Sequence, residues 1–418
     1  MHEGSYYDDG DIFLVDRFTG DRAYFGRLNQ GMLSAWVLDG TYDVVYEGRP
    51  EASTLPENKS AVVESSVVIG EDDQSVDVNI ESRQIELTLT VNGEAPSLSA
   101  YDDGLLSVSD SGYEHRTVIG KTSSMVDGKL KVRLVASSYE LFYESEDQQQ
   151  QMPHNKLANI GIVKVLESTE LQTPEIDVEV VKLSGDIFFD GELPPASSYD
   201  HGRIYLRDSL THAVTEIADT ADGSIGATPV VGGDAKYDVF YAADSVQTWA
   251  PANTWGRLNT MEIMGVDEPL LAADLKTALA SLQIPTFTVT GVITVDSEPK
   301  PVDPDNRGDL LAADGLGDRA QIGDVSGGIQ ARLLRSDYNL FFRHEVSNGG
   351  LPANTFGIVE AESIDAMQTD PIEIDVTTSM VNGTITVNGA TPSLSDYDKG
   401  ELFLRNAAGD RVFLAQTN

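Results

Sequence analysis

The stretch TYDVVY at residues 41–46 alternates as a strand does, with Tyr42, Val44 and Tyr46 on one face and Asp43 and Val45 on the other. It returns as SYELFY at 138–143, KYDVFY at 236–241 and DYNLFF at 337–342. The leading tyrosines, Tyr42, Tyr139, Tyr237 and Tyr338, stand 97, 98 and 101 residues apart. That period is domain-sized, too long for one turn of a solenoid. Two further markers keep the same beat. One is Pro-x-Asn, at Pro56/Asn58, Pro153/Asn155, Pro251/Asn253 and Pro352/Asn354; the other is a turn, VNG at 91–93, FDG at 189–191, VDS at 295–297 and VNG at 387–389. An aromatic-aliphatic-aromatic face repeated in this way predicts a core strand; the competing use is a stacking platform for sugar rings.

The second copy displays the whole unit. IELTLTV (85–91), LLSVSD (105–110), RTVIGKT (116–122), KLKVRLV (129–135), YELFYES (139–145), NIGIVKVLES (159–168) and EIDVEV (175–180) read as seven short strands broken by Gly, Asn, Asp and Pro. The pattern predicts an antiparallel β-sandwich. SVDVNI at 75–80 and EIDV at 373–376 are the expected counterparts of its closing strand.

SGDIFFDGELPPAS (184–197), TADGS (220–224) and the endings KYDVFY and LDGTYDVVY (38–46) resemble tandem carboxypeptidase-regulatory-like and transthyretin-like repeats, prealbumin-type Ig-like sandwiches of bacterial surface or secreted proteins. The resemblance implies an all-β tandem array of Ig-like/transthyretin-like antiparallel β-sandwiches of about seven strands. It also implies use as spacer, stalk or adhesin segment, and it carries over no catalytic residue. The expected units are 1–82, lacking its first strand; 83–181; 182–283; 284–376; and 377–418, a truncated repeat of three strands. In the third, Leu271, Leu275, Leu279 and Leu282 at helical spacing predict a short surface helix or remodelled linker near 267–283.

Composition sets limits. With 68 acidic against 28 basic residues the net charge is −40, which argues against nucleic acid and anionic membrane surfaces as partners and favours cations. The acids are spread along the chain, as on a solvated surface. There is no cysteine, so there is no disulfide framework or thiolate metal site. No apolar run is long enough to span a bilayer, and MHEGSYYDDG has neither the basic nor the apolar region of a signal peptide.

Motifs of catalysis dissolve on inspection. GKT at 120–122 has His115 where a phosphate loop needs glycine; HEVSN at 344–348 has Asn348 where a zinc helix needs histidine. Two binding candidates survive. DPDNRGD (303–309) sets Asp303, Asp305 and Asp309 at the odd positions of a calcium loop, though it lacks the closing glutamate. The related YDDG-type loops at 7–10, 101–104, 199–202 and 397–400 suggest instead an Asp that accepts backbone N–H groups and a left-handed Gly. Trp249 and Trp255 flank Pro251-x-Asn253 and are the carbohydrate candidates: exposure favours sugar stacking, burial favours a spacer.

SYYDDGDIFL (5–14) aligns with SAYDDGLLSV (99–108), and VFLAQT (412–417) with TVIGKT (117–122), so both ends carry partial repeats. The expectation is a fragment of a longer repeat protein; the alternative is strand exchange through residues 379–389. The sequence thus predicts a non-enzymatic structural or adhesive segment of an extracellular or cell-surface protein. Its expected partners are the neighbouring repeats in the chain and a protein or carbohydrate surface ligand, with no nucleic acid and no membrane insertion. The alternative is a carbohydrate- or calcium-binding array accessory to an enzyme or adhesin.

Overall fold

The computed structural model describes residues 10–28, 33–48, 55–70, 75–96, 103–110, 116–146, 151–168, 170–246, 248–259, 268–300, 307–346, 351–366, 368–391, 400–405 and 411–416. The chain is an array of β-sandwiches. In the second unit, Ala158–Lys164, Ser138–Ser145, Gly104–Ser109 and Thr117–Lys121 form one antiparallel sheet in that order. Glu175–Val178, Ser82–Val91 and Lys129–Val135 form the other, with the opening strand Ser82–Val91 at its centre. The closing strand Glu175–Val178 runs parallel to that opening strand, Ile176 beside Leu89 and Val178 beside Val91. The same parallel closure recurs between Ser281–Ile284 and Val180–Phe189, and between Ile372–Val376 and Thr286–Val295.

The repeated motif is core. Tyr139, Leu141 and Tyr143, their counterparts Tyr237, Val239 and Tyr241, and Tyr338, Leu340 and Phe342 are all buried between the sheets. The second aromatic dictates a glycine. A Cβ on Gly10, Gly104, Gly202 or Gly308 would strike the ring of Tyr46, Tyr143, Tyr241 or Phe342 respectively. These glycines permit a close approach and have no left-handed backbone, which corrects the turn reading of the YDDG loops. Left-handed residues occur where the other marker lies: Asn92, Asp190, Asp296 and Asn388 all have φ between 51° and 53°. We expect Gly202→Ala to destabilise the third unit by roughly 1–3 kcal/mol as an overpacked contact. Gly191→Ala, whose Cβ would meet open space, loses only the left-handed preference. Denaturant melts of the two variants compare the effects.

The predicted helix is present as Ala272–Leu279, but it is no surface appendage. Ala272, Leu275 and Leu279 are buried in the core of the third unit. Leu282 belongs to the following strand, Ser281–Ile284, which supplies the closing strand of that unit. Two apolar periods, helical and then alternating, adjoin without a break, and sequence spacing merges them.

The first unit departs from expectation. Its one described sheet is Arg22–Arg27, Gly10–Asp16, Gly40–Gly48 and Ala61–Ile69 in that order. Residues 75–80, expected as the closing strand, join no ladder; neither do residues 33–38, the counterparts of Lys129–Val135. Both would pair with an opening strand, and the described residues of this unit include none. Among the described residues of 377–418, the strands that pair are Glu401–Arg405 and Arg411–Gln416, as one hairpin.

Candidate functional site: the joints between units

At two joints a single residue links successive units. Glu179 alone separates Glu175–Val178 from Val180–Phe189, and Pro285 alone separates Ser281–Ile284 from Thr286–Val295. The left-handed turn residue clamps the chain where it leaves the closing strand, at the start of the next strand in the first two cases. Asn92 Oδ1 accepts from Val180 N–H at 2.9 Å, Asp190 Oδ1 from Thr286 N–H at 2.8 Å, and Asp296 Oδ1 from Thr378 N–H at 2.8 Å.

A second tie lies at the Pro-x-Asn loop. Asn58 donates from Nδ2 to the hydroxyl of Tyr139 at 3.0 Å and accepts at Oδ1 from Val135 N–H at 2.9 Å. The Tyr139 hydroxyl donates in turn to the Val135 carbonyl at 2.8 Å. Asn155 repeats this with Tyr237 and Val231, and Asn253 repeats it with Tyr338 and Leu334. All three asparagines are buried. Each loop also donates a backbone N–H across the joint: Glu57 to Arg133 O, His154 to Pro229 O and Ala252 to Arg332 O.

The side chains held by these bonds complete the preceding core. Val135 packs in the core of the first unit, Val231 in that of the second and Leu334 in that of the third. A staple of neutral hydrogen bonds is therefore sealed under a plug of apolar surface. Burial pushes the phenols of Tyr139, Tyr237 and Tyr338 above their ordinary range, so the hydroxyls remain donors as well as acceptors.

The joint between the third and fourth units carries additional groups, and both candidate tryptophans serve it. Trp249 is half-buried, edge-on to Phe189 with centroids 4.9 Å apart, and Arg332 lies over its ring and donates to its carbonyl. Trp255 is half-buried, stacked on Phe240 at 4.9 Å, and its N–H donates to Asp318. Asp200 fixes the Trp249 loop by accepting the N–H groups of Thr248, Trp249 and Ala250. The Asp of that YDHG loop does accept backbone N–H groups, but from a loop about fifty residues away. The third tryptophan, Trp36, is exposed.

Asp318 is buried at this joint and accepts from Asn253 and from Trp255 N–H. Burial raises its carboxyl to about 6, against the opposing effect of those donors. Its protonated form therefore favours the folded state. That contribution is complete below the unfolded value near 3.8 and is lost as pH rises through about 6. We expect the stability difference between the wild type and Asp318→Asn to shift towards the wild type as pH falls from 7 to 5. Thermal melts at the two pH values read it; a difference unchanged with pH would refute it.

Of the calcium candidates, Asp303 and Asp305 lie outside the described residues. Asp309 is buried on the strand Arg307–Ala313, where it accepts from Arg343 Nη2 and from Gln321 Nε2. Among the described residues no three His, Asp or Glu side chains converge as metal ligands. No described helix is long and apolar enough to cross a membrane.

No family model matches the chain, and no curated protein does. Among solved structures it is similar to the Bacillus anthracis TIE protein, at 9% identity over 90% of this chain and 69% of that one, with a TM-score of 0.19. A streptococcal ancillary pilin matches at 10% identity over 71% and 98%, TM-score 0.20. Two B repeat units of the Staphylococcus aureus collagen-binding protein match at 7% over 72% and 74%, TM-score 0.14. Similarity at this level assigns no function, and the fold rests on the strand ladders themselves.

Proposed function

We propose that the chain is a non-enzymatic spacer segment of a large extracellular or cell-surface repeat protein, in which the sandwiches act as a mechanically coupled series. One observation carries this reading: the buried Asn-Tyr staple recurs with the same partners at three successive joints. A string of independent binding modules needs no such joint, since a flexible linker serves it. Here a one-residue linker, a turn clamp, a staple and an apolar plug act together on one joint. The acidic surface keeps such a segment soluble and disfavours nucleic acid. Any adhesive partner, protein or carbohydrate, would meet surface outside the joints, because Trp249 and Trp255 are taken up within one.

The test is shape. Small-angle scattering of the wild type is expected to give a narrow distribution of maximum dimension. The triple variant Asn58→Ala, Asn155→Ala, Asn253→Ala is expected to broaden it while the far-ultraviolet strand signal persists. Equal distributions for the two proteins would defeat the coupled-series reading.

A further inference from the structure

The second, third and fourth units each begin and end on one pair of neighbouring strands. In the second unit the opening strand Ser82–Val91 and the closing strand Glu175–Val178 run parallel, from Glu175 beside Thr88 to Val178 beside Val91. Backbone bonds carry the pairing past both ends of that register. Glu86 N–H donates to Gln172 O and Thr88 N–H to Pro174 O, each at 2.9 Å, and Asn92 N–H donates to Val178 O at 3.1 Å. The third unit closes in the same way from Asp186 beside Ser281 to Phe189 beside Ile284, and the fourth from Gly291 beside Ile372 to Val295 beside Val376.

Parallel pairing puts the entry and the exit of each unit at opposite ends of one ladder. Tension along the chain enters the opening strand at its N-terminal end and leaves the closing strand at its C-terminal end, so it pulls the two strands past each other. They part by sliding, which strains every bond of the ladder together. An antiparallel terminal pair would have entry and exit on one side and would open like a zip, one bond at a time. The joints keep the pull in line. Glu179 and Pro285 are the whole linker between one closing strand and the next opening strand, which leaves no slack to take up. Asn92 also grips Val180 by both backbone groups, accepting from its N–H at 2.9 Å and donating from Nδ2 to its carbonyl at 3.2 Å.

A carboxylate fastens two of the three ladders. Asp177 accepts from Thr90 Oγ1 at 2.8 Å and from Gly93 N–H at 2.7 Å. Asp375 accepts from Thr294 Oγ1 at 2.7 Å and from Ser297 N–H at 2.8 Å. Each of these bonds crosses from the closing strand to the opening strand or its turn. In the third unit the paired positions hold Gln283 and Phe188, and Gln283 Nε2 donates instead to Ser281 Oγ of its own strand. The third unit closes without the carboxylate, so the lock is an addition to the fold and not a condition of it.

We propose that the segment bears tension, and that in the second and fourth units the element resisting it is the parallel closing ladder with its aspartate lock. Because the chain has no cysteine, the direction of pull can be chosen. Gln84→Cys with Glu179→Cys loads the second unit's ladder from opposite ends, and Glu94→Cys with Glu179→Cys loads it from the same end; all three positions are exposed. The full chain, held by DNA handles on these thiols in an optical trap, is pulled at one loading rate. Forced unfolding is governed by the unfolding rate, so the two geometries compare barriers in one fold. The opposite-end geometry is expected to need several-fold more force than the same-end geometry, and Asp177→Ala is expected to lower that larger force. Equal forces in the two geometries overturn the proposal, and so does an opposite-end force that Asp177→Ala leaves unchanged. Either result would leave the spacer reading standing, because that reading rests on the joints and is tested by shape in the absence of load.

Discussion

Tyr139→Ala is expected to lower the stability of the second unit by about 3–5 kcal/mol, the range of an aromatic-to-alanine change in a packed core. Tyr139 is fully buried among Leu141, Tyr143 and the strands that face them. Its hydroxyl does separate work. Tyr139→Phe keeps the ring and removes one oxygen, leaving the Asn58 amide and the Val135 carbonyl each without a partner in a dry joint, at about 1–3 kcal/mol. The two variants differ in where the damage falls. The alanine form is expected to melt the second unit early, whereas the phenylalanine form is expected to weaken the bond between the first and second units with the second core intact. Denaturant unfolding followed by hydrogen exchange of the strands Ser138–Ser145 and Ala61–Ile69 separates the two. A phenylalanine variant with wild-type protection in both strands would mean that the hydroxyl carries no part of the joint.

The repeat, its sandwich form and its core face were legible because alternation at Tyr42, Tyr139, Tyr237 and Tyr338 reports burial directly. The joints were not. Asn58, Asn155 and Asn253 stood out by spacing, yet a polar residue after proline reads as a loop, and nothing local says that it is buried against a chain segment about eighty residues onward. One signal could have disclosed it. Two adjacent apolar residues recur where alternation demands one, as Val37-Leu38, Leu134-Val135, Val230-Val231 and Leu333-Leu334, the last three at the end of a strand. In the last three pairs the second residue, Val135, Val231 or Leu334, packs in the core of the preceding unit, so the broken period marks the interface. The tryptophans were ambiguous in sequence for a related reason: Trp249 and Trp255 flank a loop that the array half-buries at the joint between the third and fourth units. Alternation reports the facing of a strand within its own sandwich and is silent about a neighbour.

Asn155→Ala is the change that tests the joint most directly, and its expected cost is about 2–5 kcal/mol to the second and third units taken together. The truncation strands two buried groups at once. The Val231 N–H loses its acceptor at 2.9 Å, and the Tyr237 hydroxyl loses its donor at 2.9 Å, and each such loss costs about 1–3 kcal/mol where water is excluded. Val231 itself stays in the apolar contact, so the cavity left is small, and the loss is one of polar pairing. Tyr237→Phe removes one of the same two bonds from the other side. The double variant is therefore expected to cost less than the two single changes added together, because the Asn-Tyr bond is counted in both; a double-mutant cycle isolates that bond. Additive losses would show that Asn155 and Tyr237 act independently, and the staple would then be two unrelated contacts. A cycle with clear coupling, together with a third unit that melts earlier once Asn155 is gone, would place the tie between units in these few atoms, where a strand tyrosine that alternation picks out meets a loop asparagine that it does not.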